Sequence, residues 1–369
     1  MFHNSRSPGW SVIGATVRGA AHVRTNRPNQ DAILWWTPEH GNGSVAILTV
    51  ADGHGSAKCF RSEMGARLAV TTATDVMRLF VGGPGADPML SNVKRTIEER
   101  LPRELARRWV DAVEGELYRN PLTPEELQAL SQSDGEHARR AVEQNHTLAF
   151  GATLLVALAT DSYAAYLQLG DGDILTTYES GDVERPLPRD ERLFANETTS
   201  LASATAWEDF RVDFQVFSAA APALILLSTD GYANSFRDDA GFLKVGTDVL
   251  SLLRRHGEDV VEKGISTWLA RASEEGSGDD ITLGVLCRST GGVEEKAGVA
   301  QPSVGFDPAT PDSTQEPEMT SDAAAAQALQ LSPQPGSPVP DPMPPRWWRR
   351  VWRNPGRDVR SSDRQGTSR

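Results

Sequence analysis

Long apolar runs are absent from this 369-residue chain, and no stretch approaches the roughly 18 consecutive apolar residues of a membrane helix. Met1–Trp10 is polar and basic with no apolar segment after it, so neither an export signal nor a transmembrane span is expected. Cysteine is scarce as well. Only Cys59 and Cys287 occur, each beside apolar neighbours, which argues against a disulfide framework, points to the cytoplasm and offers no good nucleophile. Positive charge is in deficit, 37 Lys and Arg against 50 Asp and Glu, for a formal charge of −13. Phosphate backbones are gripped mainly by Lys and Arg, so a generally basic nucleic-acid surface is not expected.

What is present divides the chain. Hydrophobic patterning is dense from about Ser11 to Arg288, whereas 12 of the 23 prolines lie beyond position 300, among Ala, Ser, Gln and acidic residues. Proline can neither continue a helix nor donate to a sheet. The expected organisation is a globular domain over 1–290, a disordered Pro/Ala-rich linker over 291–343 and an Arg/Trp-rich tail over 344–369.

Within the domain, the patterning predicts strands at Trp10–Arg18, Ala32–Trp36 and Val45–Val50, then helices at Ser62–Val81, Pro88–Tyr118 and Thr123–Asn145. Strands return at Thr153–Ala159, Tyr163–Leu169, Ile174–Tyr178, Arg211–Phe217 and Ala223–Ser228. Helices at 240–255 and 258–274 and a last strand, Ile281–Cys287, close the domain. Strands grouped around blocks of helices favour an α+β fold over a doubly wound one. The expected form is two antiparallel sheets packed as a sandwich and flanked by helices, in four layers.

Four turns carry the chemistry. Each runs an apolar strand into Asp beside Gly or into paired Asp: Asp52-Gly53-His54-Gly55, Gly170-Asp171-Gly172-Asp173, Thr229-Asp230-Gly231 and Gly278-Asp279-Asp280. Any one Asp-Gly at a strand end is also an ordinary hairpin turn, and the turn at Asp171, between two strands, is the plainest case. Repeated four times, the device suits hard divalent cations, which take carboxylate, carbonyl and water oxygens.

Together with Asn29-Gln30-Asp31-Ala32 upstream and Gly151-Ala152-Thr153 between, the series resembles the metal-dependent protein phosphatases of the protein phosphatase 2C group over roughly residues 12–288. The resemblance implies hydrolysis of phosphoserine and phosphothreonine on proteins by a water held between two Mg²⁺ or Mn²⁺ ions. Asp52 would bridge the two ions, the Gly53 carbonyl would bind one, Asp230 and Asp279 would complete the other, and Asp171 would hold a weaker third. Asp31, Gln30 and Asp280 would support the ions or their waters. His54 would be the general acid for the departing oxygen. His22 has no such support and reads as structural.

The sequence departs from the family at the phosphate-binding arginine, whose place is taken by Asn26, and at a glutamate replaced by Gln30. Arg24 or Arg27 is the candidate substitute, since a guanidinium offers paired donors to phosphate. These departures keep a second reading open, a catalytically weakened phosphatase-like module that binds phosphoproteins. A hydrolase of small phosphate esters is a third. In the tail, Arg346–Arg353 concentrates Arg and Trp, which suits an anionic membrane surface or a partner protein; a soluble tail with no fixed partner is the other reading.

Overall fold

Ala46–Ala51 and Leu154–Ala159 are buried at every position, as strands covered on both faces must be. They lie in a computed structural model that describes residues 9–38, 44–190, 199–218 and 220–289. The linker over 291–343 and the tail over 344–369 lie outside the described residues.

Two five-stranded antiparallel sheets form the centre. The first contains, in spatial order, β1 (Gly9–Val17), β10 (Ile281–Ser289), β9 (Leu224–Ser228), β6 (Asp173–Thr177) and β7 (Val183–Glu184). The second contains β2 (Ala32–Trp36), β3 (Ala46–Ala51), β4 (Leu154–Ala159), β5 (Tyr163–Leu169) and β8 (Arg211–Val216). Trp10, Leu48, Leu155, Tyr166, Ile225 and Leu286 fill the space between them. α2 (Ser62–Val81), α3 (Leu90–Glu99), α4 (Leu101–Arg119) and α5 (Pro124–Gln144) cover the second sheet, with Phe80, Trp109 and Phe150 in that core. α8 (Asp239–His256) and α9 (Glu258–Glu275) cover the first, around Phe242, Leu269 and Val285. The result is the expected sandwich of four layers.

Local chemistry accounts for the departures from the predicted elements. The helix expected over Pro88–Tyr118 is two, broken at Arg100, because Pro102 has no N–H to continue the ladder and is accepted only in a first turn. α5 begins as predicted, at a reciprocal capping box between Thr123 and Glu126, but it is interrupted at Gly135, which has φ +84°. Arg61 grips the same Glu126 carboxylate with Nε at 2.8 Å and Nη2 at 2.7 Å, tying α5 to the start of α2. Three short helices, α1 (Ala20–Thr25), α6 (Ala206–Asp209) and α7 (Asp230–Ala233), and the two-residue β7 were too brief to show as periodicity.

The pairing registers decide where the acidic turns go. Ala32 opposes Ala51, so β2 starts where β3 ends. Ser228 opposes both Leu283 and Asp173, so β9 ends where β10 and β6 begin. In an antiparallel sheet such termini share one edge, and Asp31, Asp52, Asp173, Asp230 and Asp280 all sit at them.

The approach of α2 to the segment before β4 is one contact on which that edge depends. A Cβ built on Gly65 would lie 1.7 Å from the Phe150 carbonyl oxygen, and Trp109 Nε1 donates to the Gly65 carbonyl at 3.0 Å. Gly65→Ala should therefore push α2 and this segment apart, lowering stability to urea by at least about 1–3 kcal/mol; an unchanged midpoint would contradict this packing.

Candidate active site

Asp52 leaves the end of β3 into a cleft of about 1190 Å³ whose lining includes His54, Asp171, Asp230 and Asp279. Asp52 is held there by reciprocal contacts with the next strand. Its N–H donates to Thr153 Oγ1 at 3.0 Å, and its carbonyl accepts from the Thr153 N–H at 2.8 Å. The His54 N–H donates to the Gly151 carbonyl at 3.0 Å, and the Gly53 N–H to the Gln30 carbonyl at 3.1 Å. The Asp-Gly-His-Gly loop is thus pinned to both neighbouring segments.

Asp171 projects from a turn in which Gly170 takes φ +107°, a conformation open mainly to glycine. Gln168, buried on β5, clasps that turn by donating Nε2 to the Gly170 carbonyl at 3.3 Å and the Gly172 carbonyl at 2.6 Å. Beyond the turn, Asp173 is paired with Arg185 at 2.6 Å. Asp230 opens α7, where Asn234 Nδ2 donates to its Oδ2 at 3.0 Å.

Asp31 lies beneath this group. Its Oδ2 accepts from Thr229 Oγ1 and Thr282 Oγ1, both at 2.8 Å, while its Oδ1 is buried without a hydrogen-bond partner. Asp280 is a structural hub: its Oδ1 accepts from Gly19 N–H at 2.6 Å, and its Oδ2 from Gln30 N–H at 2.6 Å. His22 Nδ1 stands 2.8 Å from the same Oδ2. His22 therefore belongs to the support of the site. Nothing local in the sequence marks it, because its partner lies 258 residues away.

The remaining candidates lie further out. Gln30 donates Nε2 to Ser62 Oγ at 2.5 Å. Arg24 and Arg27 are exposed and neither lines the cleft. Arg27 Nη2 donates to the Gly55 carbonyl at 2.9 Å, and Arg24 Nη2 lies beside Gly278. Asn26 ends α1 in the left-handed conformation at φ +55° and is exposed.

Gathering these carboxylates has an electrostatic consequence. Burial pushes the Asp31 and Asp52 carboxyls well above the ordinary range, and neighbouring aspartate charges push both further. Asp230 is raised to about 6, by burial first and then by Asp171. The charge of Asp230 is among the causes that raise Asp52, so the two carboxyls disfavour each other's ionisation. Burial lowers His54, partly offset by the charge of Asp171.

An all-oxygen, anionic donor set fits Mg²⁺ or Mn²⁺, and the partnerless Asp31 Oδ1 adds an unused acceptor beneath it. Among the described residues, no group of three His, Cys, Asp or Glu side chains stands where it could hold a metal ion. Asp279 shows one reason. Its side chain is 53% exposed, and its Oδ1 accepts from the Asp280 N–H at 2.9 Å.

A carboxyl with a raised folded pKa contributes stability that is fully present below the unfolded value and is lost as pH rises through the folded one. In EDTA the protein should therefore become less stable as pH rises through about 6, the Asp230 value. Buried His54 acts in the opposite sense, so comparison with Asp230→Asn isolates the carboxylate share. That variant should be more stable than the parent at pH 8, with a higher unfolding midpoint and a gain on the order of 3 kcal/mol. A lower midpoint in the variant would refute the repulsion.

Comparison with known proteins bears on the family. A search of curated proteins finds no match. Among solved structures, PppA, described as a key regulatory component of T6SS in Pseudomonas aeruginosa, is similar at 20% identity, covering 78% of this chain and 100% of that one, with a TM-score of 0.45. The serine/threonine phosphatase Stp1 from Staphylococcus aureus matches at 14% identity over 78% of this chain and 98% of its own, also at 0.45. The catalytic domain of the serine/threonine protein phosphatase PstP, solved with two manganese ions, matches at 15% over 76% and 99%, again at 0.45. The family model for protein phosphatase 2C matches residues 18–270, which contain every acidic turn described above except that at Asp279 and Asp280. With more than half of its length matched, the chain belongs to the protein phosphatase 2C family.

Proposed function

We propose that the chain hydrolyses phosphoserine and phosphothreonine on proteins with the help of divalent cations. The observation that carries the reading is the convergence of Asp52, Asp171, Asp230 and Asp279 on one cleft, where burial and then neighbouring aspartate charges raise the Asp52 and Asp230 carboxyls. Asp52, the Gly53 carbonyl, Asp230 and Asp279 would hold two Mg²⁺ or Mn²⁺ ions, with Asp171 at a third. Bound there, the ions would supply an acidified water and neutralise phosphoryl charge.

The chain's own residues do the rest. Asp31 accepts from Thr229 and Thr282 and so fixes the two strand ends that deliver Asp230 and Asp279. His54 lines the cleft, and it would be the group that hands a proton to the departing serine or threonine oxygen. Arg27, fixed to the Gly55 carbonyl, can steer the anionic substrate from the rim.

Specific observations favour the second reading, a phosphoprotein-binding regulatory module with little turnover. Asn26 carries no charge, Gln30 is committed to Ser62, and Asp279 is turned to its neighbour's amide. Phosphate release by the full chain decides between the readings. With a phosphothreonine peptide, release should require Mn²⁺, stop with EDTA, and fall by at least about 10³-fold in Asp52→Asn, which lacks a carboxylate that would hold the ions. Peptide binding without release would establish the binding module, and faster release from nucleotides than from phosphopeptides would establish a small-ester hydrolase.

The two arginines should separate. Arg27→Ala is expected to raise KM about three- to fivefold with kcat little changed, the effect of an exposed charge. Arg24→Ala, beside Gly278 and away from the His54 loop, should change KM less; the reverse order would reassign the steering charge.

A further inference from the structure

The cleft holds a cation that this reading leaves unused. Four basic side chains line it: Lys58, Arg185, Arg189 and Arg211. Three are engaged by carboxylates. Arg185 is held by Asp173 at 2.6 Å and by Asp239 at 2.6 and 3.0 Å. Arg189 reaches Asp239 at 2.9 Å, and Arg211 lies 3.8 Å from Asp190. Lys58 is exposed and has no carboxylate or hydrogen-bond partner among the described residues.

Its backbone, by contrast, is firmly placed. Lys58 is the middle residue of a short 3-10 turn, Ala57–Cys59, that directly follows the Asp-Gly-His-Gly loop. The Cys59 N–H donates to the Ser56 carbonyl at 2.9 Å, Ser56 Oγ contacts Cys59 Sγ at 3.3 Å, and the Arg61 N–H donates to the Ala149 carbonyl at 2.7 Å. Cys59 is buried beneath the turn. A fixed base thus carries an uncommitted ammonium on the stretch of cleft lining formed by His54, Gly55, Ser56 and Cys59.

We propose that Lys58 binds the phosphoryl group of the substrate, taking the charge role that Asn26 cannot fill. The inference rests on the cleft being a phosphoester site. Arg24 and Arg27 are both outside the lining, so neither restores the missing charge within the cleft. Using Arg185 or Arg189 would first require breaking an ion pair with Asp239 or Asp173, whereas Lys58 has none to break. An ammonium is a compact point charge with three donors, which suits phosphoryl oxygens approached from varied directions.

Inorganic phosphate is the direct probe, titrated calorimetrically into the full chain with Mg²⁺ present. Lys58→Ala should weaken phosphate binding about tenfold, the effect of losing one charge-assisted hydrogen bond. It should raise KM equally for a phosphothreonine peptide and for p-nitrophenyl phosphate while leaving kcat within about twofold. Lys58→Arg should keep most of the affinity. Unchanged phosphate affinity in Lys58→Ala would overturn the proposal, and so would a KM increase confined to peptides with an acidic residue beside the phosphorylated one. Phosphate binding does not depend on turnover: a chain that releases no phosphate yet binds it through Lys58 overturns hydrolysis alone, and turnover indifferent to Lys58 overturns this inference alone.

Discussion

Repulsion among aspartates gathered at one strand edge, Asp31 buried and Asp52 and Asp230 half-buried, is the constraint on which the rest of this molecule depends. Asp31, Asp52 and Asp230 each have carboxyls raised first by burial and then by neighbouring aspartates. Packing alone would never collect such groups, since each carries a desolvation cost and each worsens its neighbours. They are affordable because strong apolar strands end there. β3, β4 and β9 are buried at every position, and their registers leave the acidic turns no other place to go.

Not every carboxylate at the edge faces the cleft. Asp280 is spent on the framework, accepting the amides of Gly19 and Gln30 and meeting the His22 ring. Asp173 is neutralised by Arg185, which also ties the turn at Asp171 to the start of α8 through Asp239. Asp31 is half committed, with one oxygen bonded to two threonines and the other left bare. The paired aspartates that look alike in sequence thus divide into holders of structure and candidates for chemistry.

Much of this was legible in the sequence because the relevant signals are local. Two-faced apolar strands, the Ser62–Val81 helix and the four acidic turns each occupy a short window, and their grouping already indicated the layered sandwich. What was not legible depends on distant partners or small perturbations. Pro102 breaks a run that otherwise reads as one helix, and Gly135 interrupts α5. His22 reads as an isolated histidine until Asp280 is brought to it by the pairing of β1 with β10. Lys58 reads as a surface charge until the cleft shows which of its basic residues are already paired. Gln168 shows no sign in sequence of its grip on the turn at Asp171.

The central proposal is that divalent cations bind at this edge in place of protons on its raised carboxyls. Calorimetric titration of Mn²⁺ into the metal-free chain at pH 6, repeated in two buffers of different ionisation enthalpy, tests it most directly. The account predicts binding accompanied by proton release, because carboxyls raised as Asp52 and Asp230 are must give up protons as a cation enters. Binding without proton release, or no binding at millimolar Mn²⁺, would contradict it.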